Sequence, residues 1–440
     1  MEKTKIMKIN YFNLKEMTEK ELNSLMKRAE VDISALQVQI KPIVDEVKEI
    51  GDEAIFKYTK KFDRAEITAS TVKVTQEEFD KANRTVDPKL REAIEYSAKN
   101  IRKYHEKQMP EEMWFTQIKN GIMAGEKITP IPSVALYAPR GKGSFPSVIM
   151  MLAIPAVIAG VEDIIICTPP TPDGEVDDVS LVAAEICGVK NVYKVGGSQA
   201  IAAVAYGTQS VPKMNKVIGP GSAYVSAAKR LLYGTIDVGV PAGPSESVIL
   251  ADETTTPHIA ALDLLIEAEH GPDSSALLVT HSQELIDEVK TLLPKYIEEL
   301  PQNRQEFIKT GFSTYGGFVK TQSLEESIGF VNDYAPEHME VLVKEPFSIL
   351  EKIKNAGEIL LGENTPITAG NFALGVNAIL PTGGFAKTFS SVTVFDFLKR
   401  TSIGYLTREG FDDLKDSAVK LAEYEGFPAH ANAIKNRFKN

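Results

Sequence analysis

The chain has 440 residues, a formal net charge of -11, 43% hydrophobic residues and 25% charged residues. This length allows more than one domain with a sizeable core, and the composition is typical of soluble globular proteins. Binding to phosphates requires clustered Lys and Arg, so the acidic balance argues against nucleic acid as the main partner.

Targeting and membrane segments are not predicted. The first residues lack the apolar region of a signal peptide, and the longest apolar run, 148–161, is broken by Pro155 and too short to cross a bilayer. Cys167 and Cys187 lack metal-type spacing and are expected to be reduced thiols in the core. A cytoplasmic protein without a membrane partner is therefore expected.

The first part of the chain is predicted to be helical. Thr18 and Thr75 are each followed by Glu three residues later, which is the capping-box pattern of a helix start. Amphipathic patterns predict helices over 33–62 and 88–107. His105, in the second of these, is predicted to be a surface residue.

From Ser133 the pattern changes to short apolar runs that alternate with helical segments. One series runs to Leu231, a second from Val248 to Leu361, and two helical segments separated by 426–428 form the tail. Such alternation with short connections predicts parallel sheets covered by helices on both faces. Neither series carries G-x-G-x-x-G after its first strand, so the pattern alone does not establish a nicotinamide cofactor.

The end of the predicted helix 257–270 carries a candidate metal pair. Glu267 and His270 stand three residues apart, so they share one helix face and could hold one metal ion. A charged last turn, in which the helix dipole favours His270, explains the same residues. This stretch alone does not decide between the two.

Two other kinds of segment could carry chemistry. In 335–338, a turn at Pro336 is followed by Glu337 and His338 at a strand start, where His suits a general base and Glu could activate water. The glycine-rich loops 196–199 and 219–222 open helices and could bind phosphate, although such turns occur in every α/β sheet. An exposed polar turn at 337–338, and a packing role for His430, remain alternatives.

Several motifs in one order resemble the histidinol dehydrogenase family. They are Gly196–Ala202, Gly219-Pro220-Gly221, Pro241–Glu246, Ala268–Ser274, Ala335–His338 and Leu380-Pro381-Thr382. The match extends from about Ser133 to the C-terminus. The resemblance implies an NAD-dependent, zinc-containing enzyme that oxidises an alcohol through the aldehyde to the acid, with L-histidinol to L-histidine as the best single prediction. It also implies a homodimer with exchanged terminal segments and active sites drawn from both chains.

The resemblance also assigns residues to roles. It implies catalytic roles for Glu337 and His338: His338 takes the hydroxyl proton, and Glu337 activates the water that hydrates the aldehyde. The implied contacts are, for the cofactor, Tyr137, Gln199 and Ser222; for the metal, Glu267, His270, Asn371 and, from the partner chain, His430; for the substrate, Ser245, Glu425, His338 and the four metal ligands.

This sequence departs from the family pattern at several of these positions. The family normally has Gln at Glu267 and Asp at Asn371, so one carboxylate and one amide oxygen are kept, and the metal site is expected to survive. The family has Asn at Ser222, and a substrate-contacting His where this chain has Ala378. The cations Arg140 and Lys142 could hold an anion, or be solvated surface charges. A dehydrogenase for another amino alcohol or polyol, a non-catalytic binding homologue and a metal-dependent hydrolase therefore remain open.

The predicted fold class is α/β, with two Rossmann-like parallel-sheet units and helical N-terminal and C-terminal segments in a swapped homodimer. The predicted organisation is a helical segment 1–24, a first α/β unit of 25–136 plus 246–391, a second α/β unit of 137–245 that binds NAD, and a tail of 392–440. The first α/β unit carries the metal and catalytic residues.

Overall fold

The structure is a computed structural model that describes residues 7–29, 33–140, 143–241 and 243–438. It divides into two compact units, 1–108 with 132–396 and 109–131 with 397–440. Lys142 lies outside the described residues. The boundaries predicted at 24, 136, 245 and 391 remain predictions.

The elements follow in chain order. The strands are β1 (Asn10–Asn13), β2 (Met113–Lys119), β3 (Ile122–Pro130), β4 (Ser133–Tyr137), β5 (Asp163–Cys167), β6 (Val192–Tyr193), β7 (Lys216–Ile218), β8 (Glu246–Ala251), β9 (Ser275–Thr280), β10 (Gly317–Lys320), β11 (His338–Leu342), β12 (Glu358–Leu361) and β13 (Leu398–Leu406). The helices are α1 (Glu19–Lys27), α2 (Ile33–Ile50), α3 (Asp52–Phe62), α4 (Gln76–Thr85), α5 (Pro88–Glu106), α6 (Pro146–Ile158), α7 (Asp178–Ile186), α8 (Gly197–Tyr206), α9 (Ala223–Leu232), α10 (Pro257–Ala268), α11 (Gln283–Glu298), α12 (Gln302–Thr314), α13 (Leu324–Tyr334), α14 (Pro346–Ile349), α15 (Ile367–Phe372), α16 (Arg408–Tyr424) and α17 (Pro428–Lys435).

The first unit contains two parallel sheets, which confirms the predicted α/β class with two parallel-sheet units. One has the strand order β1-β10-β9-β8-β11-β12, and the other has the order β6-β5-β4-β7. In β8, Ile249 packs into one apolar cluster, whereas Val248 and Leu250 pack into another on the opposite face. Both faces are covered, and this explains the continuous apolar strands. The swapped homodimer remains a prediction, and Asn10–Asn13 form a strand within the N-terminal segment that was predicted to be helical.

The second unit contains an antiparallel sheet, β13-β3-β2, and the helices α16 and α17. The two predicted tail helices are confirmed. Strands β2 and β3 were not predicted, because every residue of β2 is exposed and its sequence lacks the apolar alternation of a half-buried strand.

Several local predictions can be compared with the structure. Both capping boxes are formed, and Cys167 and Cys187 are buried thiols as predicted. The helix predicted over 33–62 is interrupted at Gly51, which has φ +59°, a conformation that few L residues adopt. Among the described residues, no helix is long and apolar enough to span a membrane.

The prediction for His105 was wrong. The residue is 0% exposed, with Nδ1 2.8 Å from Gln108 Oε1 and Nε2 3.1 Å from Asn377 Nδ2. His105 continues the buried face of α5 formed by Ile94, Ala98 and Ile101, and Asn377, 272 residues later, contacts its ring.

Candidate active site

The predicted catalytic and metal residues of the first unit meet at one edge of the six-stranded sheet. Glu337 and His338 lie at the start of β11, Ser245 precedes β8, and Glu267 lies in the last turn of α10. This is the edge where the strands begin, whereas ligands of open α/β sheets usually bind at the carboxyl ends of the strands. The local sequence does not indicate which edge of the sheet carries the site.

His338 is 4% exposed and surrounded by carboxylates. Its Nδ1 lies 2.5 Å from Glu358 Oε1, and its Nε2 lies 3.9 Å from both Glu267 Oε1 and Glu337 Oε1. Burial by itself lowers the pKa of His338, but the three carboxylates outweigh it and raise the pKa to about 10. The Glu358 contact leaves Nε2 as the ring atom that can face a substrate.

Glu337 is also buried, immediately before β11. Its Oε2 accepts a hydrogen bond from the backbone N–H of Glu246 at 2.9 Å. Burial, together with the carboxylates of Glu267 and Glu246, raises the pKa of Glu337 well above its ordinary value, and His338 offsets part of this effect. A carboxylate with a raised pKa is a stronger base toward water than an ordinary carboxylate.

Glu267, Asn371, His270 and Ser245 form a connected group beside His338. Asn371 Nδ2 donates to Glu267 Oε1 at 2.9 Å, His270 Nδ1 lies 3.1 Å from Glu267 Oε2, and Ser245 Oγ lies 3.0 Å from His270 Nδ1. Burial raises the pKa of Glu267, but the two imidazoles and the hydrogen bonds outweigh it, and the net pKa is lowered. Glu267 is therefore a buried carboxylate.

The donor types of this group fit a zinc ion. Glu267 is fully buried, and its Oε2 faces the imidazole of His270, with Nδ1 3.1 Å away. A carboxylate oxygen, an amide oxygen and an imidazole nitrogen are ordinary ligands of a divalent metal. Within the described parts of the chain, however, no three His, Cys, Asp or Glu side chains are placed to hold a metal. Glu267 and His270 would therefore need Asn371 and a further ligand.

The predicted cofactor residues lie at the carboxyl ends of the four-stranded sheet. Tyr137 ends β4 and its hydroxyl accepts from Gly197 N at 3.0 Å. Gln199 is 1% exposed, and neither atom of its side-chain amide has a hydrogen-bond partner. Ser222 caps α9 by position, but its hydroxyl makes no capping hydrogen bond. Because β5 and β7 lie on opposite sides of β4, this edge has the switch point at which nucleotides bind in α/β sheets.

Glu425 and His430 belong to the second unit. Glu425 is the exposed residue at the end of α16, and His430 lies exposed in α17 with its ring 5.2 Å from that of Phe427. The described structure thus groups Ser245, Glu267, His270, Glu337, His338 and Asn371 in the first unit. The other two predicted residues stand in the second.

Two buried charged residues at the site were not predicted. Glu358, opposite His338 in the pairing of β11 with β12, contacts the imidazole, and its Oε2 has no hydrogen-bond partner. Glu246 accepts from Gly383 N at 2.7 Å and lies 3.5 Å from the Arg28 guanidinium. Glu358 starts a predicted apolar strand and Glu246 ends the motif Pro241–Glu246, but no role at the site was predicted for either residue.

Comparison with known proteins gives consistent results. A family profile described as histidinol dehydrogenase matches residues 26–438. A histidinol dehydrogenase from Synechocystis sp. is 53% identical over 434 residues, covering 99% of both chains, and a histidinol dehydrogenase homolog from Colwellia psychrerythraea is 52% identical, covering 97% of this chain and 96% of its own. The crystal structure of histidinol dehydrogenase from Elizabethkingia anophelis matches with a TM-score of 0.92 and 32% identity over 98% of each chain. The profile match includes every site residue described above.

Proposed function

We propose that this chain, which belongs to the histidinol dehydrogenase family, oxidises L-histidinol through the aldehyde to L-histidine. It is an NAD-dependent oxidoreductase, and this reaction is a step of histidine biosynthesis. The single observation that carries the residue assignment is the buried Glu337–His338 pair, whose imidazole Nε2 lies beside Glu267. We also propose a cytoplasmic location.

Glu267, His270 and Asn371 would hold a zinc ion, with the partner's His430 as the fourth ligand. When bound, the metal would polarise the substrate hydroxyl and offset the carboxylates around His338, while the nicotinamide would accept hydride. The burial of Glu267 supports this assignment, because buried carboxylates are either paired or coordinate metals, and Glu267 faces the His270 imidazole that the same metal would bind.

His338 is the proposed general base at both oxidation steps. Glu358 holds Nδ1, so Nε2 accepts the substrate proton, and Glu358 stabilises the imidazolium that forms. Glu337 accepts a proton from the water that adds to the aldehyde. The hydrogen bond from Glu246 N fixes one oxygen of Glu337, which leaves the other for water.

Tyr137, Gln199 and Ser222 are the proposed NAD contacts. Gln199 supports this most directly, since its buried amide has donors and an acceptor without a protein partner. A bound cofactor that hydrogen-bonds to this amide would remove the cost of leaving it unpaired.

We propose a homodimer in which the second unit supplies Glu425 and His430 to the partner's active site. Strand β2 exposes apolar side chains: Met113 is 53% exposed, Trp114 41%, Phe115 46% and Ile118 64%. Several exposed large apolar side chains on one strand are typical of protein interfaces. The need for a fourth metal ligand supports the same arrangement.

A second candidate substrate is another amino alcohol or polyol. The observation in its favour is Ala378, which stands where the family resemblance implies a substrate-contacting His. Ala378 has only a methyl side chain, so it cannot hydrogen-bond an imidazole ring of the substrate. The lost bond is worth about 0.5–1.5 kcal/mol.

One assay separates these functions. Zinc-loaded protein is incubated with NAD and a panel of histidinol, other amino alcohols and polyols, and NADH is counted per substrate consumed. Two NADH per histidinol support the proposed reaction; turnover of another member of the panel alone supports the second candidate. No NADH with any alcohol, despite retained NAD binding, would contradict both and favour a non-catalytic homologue.

A further inference from the structure

We propose that three side chains of α5, Ser97, Asn100 and His105, are positioning residues for the segment 371–379. They hold Asn371 toward Glu267 and fix the backbone at Ala378. The functional meaning of Asn371 and Ala378 rests on the proposed function; the contacts that hold the segment do not. Ser97 lies three residues before Asn100 and eight residues before His105, spacings that keep both side chains near the face of the helix that carries Ser97.

Ser97 and Asn100 cap the end of the short helix that carries Asn371. Ser97 Oγ donates to Phe372 O at 2.5 Å, and Asn100 Nδ2 donates to Ala373 O at 2.8 Å. The last carbonyls of a helix have no partner within the helix, so these donors replace water there. Because α15 has six residues and Asn371 precedes Phe372, the two bonds restrain the turn that directs Asn371.

The backbone of the segment also approaches α5 closely. Gly375 has φ +107°, and a Cβ at this position would lie 2.7 Å from Asn100 O. A side chain larger than hydrogen would therefore push the segment away from the helix. The two carbonyl contacts and the close approach at Gly375 occur on one turn of α5.

His105 holds the far end of the segment through Asn377. The two amide protons of Asn377 are directed to His105 Nε2 at 3.1 Å and Met151 O at 2.7 Å, and its Oδ1 accepts from Ile379 N at 3.0 Å. His105 Nε2 must then be an acceptor, so Nδ1 carries the proton and donates to Gln108 Oε1. Burial lowers the pKa of His105, which keeps the ring neutral as this network requires.

The consequence for Ala378 follows from its neighbours. Asn377 and Ile379 are both held by this network, and Ala378 N itself is directed to Met151 Sδ at 3.4 Å. The direction of the side chain at position 378 is therefore set by α5 and α6. Residues that orient metal ligands from outside the site often contribute 10–100-fold to metal affinity or activity. We therefore expect losses of this size when the contacts of α5 with the segment 371–379 are removed.

The test uses full-length protein with single substitutions in α5. Asn100→Ala and His105→Leu remove the positioning contacts, and His105→Gln restores a possible acceptor for Asn377. Lys99→Ala changes an exposed residue of the same helix, and Ile101→Val loosens the buried face without removing a polar contact. Zinc affinity by chelator competition, KM for the alcohol, KM for NAD and the unfolding midpoint are measured for each.

We expect Asn100→Ala to lower zinc affinity about tenfold or more, since it releases the helix that carries Asn371. His105→Leu should raise the KM for the alcohol, and His105→Gln should raise this KM less. The KM for NAD should stay unchanged, and the two control variants should behave like the wild type, even where Ile101→Val lowers the unfolding midpoint as much as Asn100→Ala does.

Two results distinguish this inference from the proposed function. The inference would be overturned, and the proposed function kept, if the wild type oxidised histidinol and the folded variants Asn100→Ala and His105→Leu had unchanged zinc affinity and unchanged KM. No turnover of histidinol by the wild type, with zinc affinity still lost in Asn100→Ala, would support the inference and contradict the substrate assignment.

Discussion

In this chain Glu267 carries the carboxylate and Asn371 the amide, which is the reverse of the family pattern. A double-mutant cycle can test how strongly these two side chains interact. Asn371 Nδ2 donates to Glu267 Oε1 at 2.9 Å, and both atoms lie in a buried part of the site. Asn371→Asp removes a hydrogen bond to a charged acceptor, worth about 1.5–3 kcal/mol. It also places two carboxylates in contact, which repel by roughly 4 kcal/mol at 4 Å and an effective dielectric constant of 20.

We therefore expect metal-free Asn371→Asp to lose at least about 2 kcal/mol of unfolding free energy at pH 8. The double variant Glu267→Gln, Asn371→Asp again has one carboxylate and one amide, so it should recover most of that loss. The coupling energy between the positions is expected to be about 2 kcal/mol or more. Denaturant unfolding of the four metal-free proteins measures it.

We expect zinc to reverse the effect of Asn371→Asp on stability. Glu267→Gln removes the carboxylate from the proposed ligand set and should weaken zinc binding, whereas Asn371→Asp adds a carboxylate and should gain stability when zinc is added. The reasoning would be refuted if Asn371→Asp lowered the unfolding free energy by the same amount in the wild type and in the Glu267→Gln variant. The side chains at 267 and 371 would then not interact.

Three further predictions concern other parts of the first unit. His338→Asn should lower the rate of NADH formation by roughly 10²–10⁴-fold with zinc content retained, whereas the same substitution at the exposed His258 should leave the rate unchanged. Gln199→Met should raise the unfolding free energy of the cofactor-free protein by about 1–3 kcal/mol and weaken NAD binding, both by calorimetry; stronger NAD binding would contradict the assignment. Burial raises the pKa of Asp263 to about 6, and burial together with the neighbouring Asp263 carboxylate raises the pKa of Glu340 to about 10. Raised folded-state pKa values stabilise the fold at low pH and lose that contribution as the pH rises, so Glu340→Gln should be more stable than the wild type at pH 9, and the difference should shrink toward pH 5 in thermal unfolding.

The local sequence was sufficient for much of the fold. The alternation of apolar runs and helical patterns predicted parallel sheets, because strands buried on both faces need apolar residues throughout. Thr18 and Thr75 marked helix starts that the structure has, since a capping box involves only residues three positions apart. Strand β1 escaped prediction because its four residues, Asn10–Asn13, pair as an edge strand with β10, more than 300 residues away.

The sequence by itself also supplied the chemical types of the site: an adjacent acid and imidazole at 337–338, and a helical Glu267–His270 pair. Only the tertiary structure decided which groups meet them. Glu358 reaches His338 because β12 pairs with β11, and Ser97 of α5 reaches the carbonyl end of α15. Asn371, 104 residues from Glu267, was linked to it beforehand only through the family resemblance. Local patterns record contacts within a few residues, whereas these contacts depend on strand order and helix packing. The edge of the sheet at which the site forms depends on the same packing, so it too became visible only in the folded chain.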